Sequence, residues 1–107
     1  MTYLSPEIVE LAKSVGFYEK PNFGVEKMLD GVHPYIQWFY SLQQVEEWLW
    51  EKHEIALDSF TRFNPKSCIV NIWKNDRHIK NTKSDNPFTA REQGVRQALE
   101  HLRKEKI

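Results

Sequence analysis

The sequence predicts an α+β domain: a small antiparallel sheet with helices packed on one face, in the order α-β-β-α-β-β-(β)-α. Three observations lead there. Apolar residues recur at helical spacing in three separate stretches, around Ile8, Val45 and Leu99. Between these stretches lie β-prone runs at residues 35–40, 55–63 and 68–73. Turn residues join the runs in pairs, so strands and helices segregate along the chain as in α+β folds. The 107 residues suffice for one domain, residues 1–107, and are too few for two.

The first helix is specified at both ends. Ser5 is a natural N-cap, and Pro6 falls at the first helical position, where its missing N–H costs nothing. Leu4 and Val9 have the spacing of a hydrophobic staple. Ile8, Leu11, Ala12 and Val15 follow i, i+3, i+4, i+7 and form one apolar stripe. Gly16 stops the helix by supplying a left-handed residue. Residues 17–41 then read as a hairpin. Phe23, Val25 and Lys27 alternate with Gly24, Glu26 and Met28, and Asp30-Gly31 opens a turn that Pro34 closes. Residues 35–40 (Tyr-Ile-Gln-Trp-Phe-Tyr) form the second strand. Its aromatics alternate between faces, so Trp38 or Phe39 has to point outward.

The second helix spans residues 42–54, capped by Ser41 or Gln43. Leu42, Val45, Trp48 and Leu49 share one face, and Trp50 lies ~130° from its centre at ~100° per residue. Residues 55–63 are a strand with Ile55, Leu57, Ser59, Thr61 and Phe63 on one side. Asn64-Pro65-Lys66-Ser67 is a turn in which proline presets φ and Asn64 bonds back to the backbone. Residues 68–73 return as an apolar strand, Asn75-Asp76-Arg77 turns again, and His78-Ile79-Lys80 is a short edge strand before a polar loop at 81–86. In the last helix, residues 89–106, Thr89 and Glu92 have the spacing of a capping box. Val95, Ala98, Leu99 and Leu102 make its buried stripe, with Trp48 and Trp73 expected in the same core. Gly94 costs ~1 kcal/mol against alanine in a helix, which points to close packing on a neighbour.

Composition narrows the function. Hydrophobic residues at 40% and aromatics at 13% supply a compact core, and no apolar run approaches the ~20 residues of a membrane span. The N-terminus lacks the basic and apolar regions of a signal peptide, and a single cysteine, Cys68, cannot form an internal disulfide. Both features point to the cytoplasm. Net charge is zero, yet residues 1–57 hold nine acids against four bases and residues 58–107 six acids against eleven bases. The halves either attract each other within the fold or present a basic face to nucleic acid.

Residues 5–17, 45–55 and 88–102 carry a resemblance. The sharpest part is Trp48-Leu49-Trp50-Glu51-Lys52-His53, followed by aromatic strands and an amphipathic closing helix. In these features the chain resembles a group of small uncharacterised proteins of gut Bacteroides-group bacteria, their phages and mobile elements. It departs in having Trp50 where that group usually has arginine, and in a more basic final helix. The resemblance implies the fold and a phage or mobile-element origin. It implies no activity, cofactor or catalytic residue.

No catalytic motif is present. His33, His53, His78 and His101 have no metal-ligand spacing, so neither metal nor cofactor is expected. Cys68 at the start of an apolar strand reads as a small buried hydrophobe. Glu46, Glu47, Glu51 and Glu54 read as a solvated helix face. The expected role is a non-enzymatic interaction module that binds a protein partner or itself through exposed aromatics, Trp38, Phe39 and Trp50. The alternative is nucleic-acid binding through Arg62, Lys66, Lys74, Arg77, Lys80, Lys83 and Arg91. The second half has the helix-strand-strand-(strand)-helix order of a double-stranded-RNA-binding domain, but without its lysine-rich entry to the last helix.

Overall fold

The computed structural model describes residues 3–63 and 66–105. Its elements are α1 (Pro6–Ser14), β1 (Phe23–Leu29), β2 (His33–Phe39), α2 (Leu42–His53), β3 (Ile55–Phe63), β4 (Lys66–Lys74), β5 (Arg77–Ser84) and α3 (Pro87–Glu105). This is the α+β class and order read from the sequence. The strands divide into two antiparallel sheets, β1-β2 and β3-β4-β5. The turn expected at Asn64 and Pro65, and Lys106 at the end of the last helix, lie outside the described residues.

The helix ends show which local signals act. Ser5 is extended and heads α1, though its hydroxyl makes no capping bond; Pro6 follows it. Gly16, at φ 102°, lets the chain double back so that Phe17 N–H reaches the Ala12 carbonyl at 3.0 Å. Ser41 caps α2, its hydroxyl accepting from Gln44 N–H at 3.1 Å. The helix ends at Glu54, which adopts φ 56° where glycine would be unstrained. The expected cap of the last helix is corrected. α3 starts at Pro87, and Asn86 Oδ1 accepts from Thr89 N–H at 3.1 Å, so Asn86-Pro87 repeats the Ser5-Pro6 arrangement. Glu92, freed from a capping box, instead accepts from Ser5 N–H at 3.4 Å and ties α3 to the start of α1.

β5 is also longer than expected: residues 81–84 belong to a strand, not to a loop. The sequence hides it because Asn81 and Lys83 point outward, while inward Thr82 satisfies its hydroxyl on the Ala90 carbonyl at 2.9 Å. A register shift opposite Ile72 and Trp73 lets Ile79 pack onto the core.

α2 and α3 cover one face of β3-β4-β5, and α1 packs on α3. Ile55 and Ile72 meet Val45, Leu49, Val95 and Leu99 there, all fully buried. Phe17 stands edge-on to Trp48, ring centres 5.3 Å apart, and closes the core beneath α1. Gly94 is buried, and a Cβ there would lie 2.9 Å from Val70 Cγ1 and 3.0 Å from Leu57 Cδ2, so α3 sits against the sheet at this point. Trp73 is not in this core. With Cys68, Val70 and Ile72 turned inward, the pleat sends Ile69, Asn71 and Trp73 to the opposite face.

The hairpin β1-β2 behaves differently. Tyr3 stacks on Phe39 at 4.3 Å, and Leu4 N–H bonds the Tyr40 carbonyl at 2.8 Å, so the base is anchored. Beyond that base, neither strand packs extensively on any other element. The radius of gyration is 15.6 Å, against ~13 Å for a compact chain of this length, because the hairpin projects as an arm.

Candidate functional site

The arm carries apolar side chains on both faces. On one, Gly24, Glu26 and Met28 lie opposite Trp38, Ile36 and Pro34. Trp38 and Ile36 are each 56% exposed and Met28 52%. A depression of about 470 Å³ runs between them, lined by Gly24, Glu26, Pro34, Tyr35, Ile36 and Trp38. Gly24 makes the space: a Cβ there would come within 3.0 Å of Ile36 Cγ2 and 3.1 Å of the Trp38 ring. The tip adds Leu29 and Val32, both exposed. It is held by Asp30, at φ 50°, whose carboxylate accepts from Val32 N–H at 3.2 Å and His33 N–H at 3.3 Å. The same carboxylate pairs with His33 Nδ1 at 3.1 Å, and chiefly this bond holds the Asp30 carboxyl below its ordinary pKa.

Of the aromatics expected to bind, Trp38 lies on this surface. Phe39 points to the other face, stacked on Tyr3, with Lys27 Nζ 5.8 Å from its ring centre. Trp50 is exposed on α2 and borders a separate depression with Glu46, Glu47, Ile55, Ala56 and Leu57. The three residues therefore do not form one patch. The exposure of Met28, Leu29, Val32, Tyr35 and Ile36 was missed from the sequence. Alternation reveals a strand, but not whether anything covers it.

The basic residues are divided by the sheet. On the helix side, Lys74 pairs with Glu105 at 2.7 Å, Lys80 Nζ donates to Gln97 Oε1 at 3.0 Å, and Arg91 is held by Glu46. The Lys74 ammonium lowers the Glu105 pKa. Arg62 and Lys83 stand on the opposite, uncovered face, while Lys66 and Arg77 are exposed at strand ends. Arg91–Glu46 and Arg96–Glu7 (3.9 Å) bridge the basic and acidic halves of the chain.

The remaining candidates are dispersed. Cys68 is buried. His53 stands edge-on to Trp48, His78 edge-on to Trp73, and His101 bonds Glu105 at 3.0 Å. Among the described residues no group of three or more His, Cys, Asp or Glu side chains is placed to hold a metal ion, and no helix is long and apolar enough to cross a membrane. Comparison of the chain with family models, curated proteins and solved structures gives no match.

Proposed function

We propose that this protein is a non-enzymatic interaction module that docks a protein partner, or a second copy of itself, through the β1-β2 arm. One observation carries the reading: among the described residues, the arm exposes Met28, Leu29, Val32, Tyr35, Ile36 and Trp38 with no other element packed extensively over them. A lone two-stranded hairpin is marginal in water, so an apolar one is better explained by a surface it meets than by self-sufficiency. Trp38 is the natural anchor, a large ring beside a recess. Phe39 supports it from behind by stiffening the base, and Trp50 is a separate contact point. The phage or mobile-element origin implied by residues 48–53 belongs to the same proposal.

The test is a pull-down with tagged wild-type protein and with Ile36→Asp, run with and without nuclease and at low and high salt, alongside sedimentation of the purified protein. The reading expects a captured protein, or a dimer, that survives nuclease and salt and is lost in Ile36→Asp while the melting temperature holds. A catch that Ile36→Asp retains, or that nuclease abolishes, sinks it. The nucleic-acid reading through Arg91 is weaker, because Glu46 occupies its guanidinium.

A further inference from the structure

The uncovered face of the β3-β4-β5 sheet is distinct from the arm. Its residues follow from the register: Arg62, Phe60, Asp58 and Ala56 on β3, Ile69, Asn71 and Trp73 on β4, and Lys83, Asn81 and His78 on β5. We propose that this face is a binding platform for single-stranded nucleic acid, with Phe60 as the base-stacking ring and Arg62 and Lys83 as the phosphate contacts.

Four features support it. Phe60 is 46% exposed at the centre of an edge strand, where a flat ring gains nothing from the core but offers a π-face to a base. Arg62 is the next residue on the same face, and Lys83 lies in the same row as Phe60, one strand beyond Ile69. Neither cation has an ion-pair partner among the described residues, unlike Lys74 and Arg91 on the covered side. The next row sets Asn71 beside Asn81, side-chain amides that can both donate to and accept from base edges, with Asp58 the one acid of the face among the described residues. Trp73, held edge-on by His78 at 4.9 Å, gives a second aromatic ~13 Å along the strands from the Phe60 row.

A pleated face with rings and amides suits splayed bases. A duplex hides its bases and would use only the two cations. A protein ligand would not need two cations without ion-pair partners among the described residues around an exposed ring, against the single acid Asp58, so polyanion complementarity favours the nucleic acid.

Fluorescence anisotropy tests this with labelled strands of about a dozen nucleotides, as RNA, as DNA and as RNA duplex. Wild type is expected to bind single strands more tightly than duplex, and the RNA and DNA arms show which sugar is preferred. Two phosphate contacts predict affinity falling about sevenfold between roughly 50 and 200 mM salt. Phe60→Ala is expected to weaken binding about tenfold. Arg62→Ala with Lys83→Ala is expected to flatten the salt dependence. Ile36→Ser on the arm leaves all of this unchanged. Circular dichroism verifies that each variant is folded. Equal affinity for duplex, or Phe60→Ala without effect, overturns the proposal. So does the absence of any signal up to about 100 µM protein.

Discussion

The two sheets of this molecule are built from similar residues and end in opposite conditions. β3-β4-β5 has one face under α2 and α3, where Ile55, Val70 and Ile72 are fully buried. β1-β2 has Val25, Ile36, Trp38 and Tyr35, equally β-prone, yet every residue from Glu26 to Trp38 is exposed. Strand propensity therefore decides where the backbone extends, and cover decides what the strand contributes to stability. The body can spend its apolar residues on folding, while those of the arm remain available for contact.

The largest test of this contrast pairs two isoleucines. Ile72→Ala is expected to cost about 2–5 kcal/mol in urea unfolding, through lost burial and the cavity left behind. Ile36→Ala on the arm is expected to stay within about 0.5 kcal/mol. Equal costs would mean that the arm is already covered in solution, which sedimentation would reveal as self-association.

Gly94→Ala sharpens the body side. Helix propensity favours alanine by ~1 kcal/mol, but its methyl would meet Val70 and Leu57 at 2.9–3.0 Å. A net loss of about 1–2 kcal/mol is expected in the same unfolding measurement, because overpacking outweighs propensity. A gain would show that α3 rides higher on the sheet.

Trp50→Arg is expected to leave the melting curve nearly unchanged, since Trp50 is 61% exposed. A loss above ~2 kcal/mol would make Trp50 part of the core and remove it from the candidate contacts.

The smallest effect sits at the arm's tip. Asp30 titrates below its ordinary value because His33 hydrogen-bonds the carboxylate. Its folded pKa is thus lower than its unfolded one, so its contribution is complete above the unfolded value and disappears as pH falls through the folded value. The Val32 and His33 amide resonances are expected to shift together below about pH 4. Asp30→Asn should abolish that acid transition, and a transition that persists would locate the titrating group elsewhere.

Much of this was legible in the chain. Ser5-Pro6 and Gly16 bracket α1, Ser41 precedes α2, and the stripes of Val45 and Leu49 and of Val95, Ala98 and Leu99 face the core as their spacing requires. Helix α3 was begun two residues late because Thr89 and Glu92 imitate a capping box, and Asn86-Pro87 outcompeted it. The second half of β5 was lost because a strand with one open face and a hydroxyl facing inward shows no apolar alternation. That Trp38 or Phe39 faces outward and that Trp50 lies off the core stripe was readable from pleat and period; which of the two, and the separation of Trp38, Phe39 and Trp50, was not, because it depends on how the arm leaves the body.

The sequence by itself determined which segments extend and which coil, because caps, turns and periodicity act over a few residues. It also pointed to close packing at Gly94. Only the tertiary structure decided that the strands form two sheets rather than one, that Trp73 faces outward while Trp48 is buried, and that Lys74, Lys80 and Arg91 are engaged while Arg62 and Lys83 stand clear. Those outcomes depend on which surfaces meet across long stretches of chain, and burial is a property of the meeting rather than of the residue.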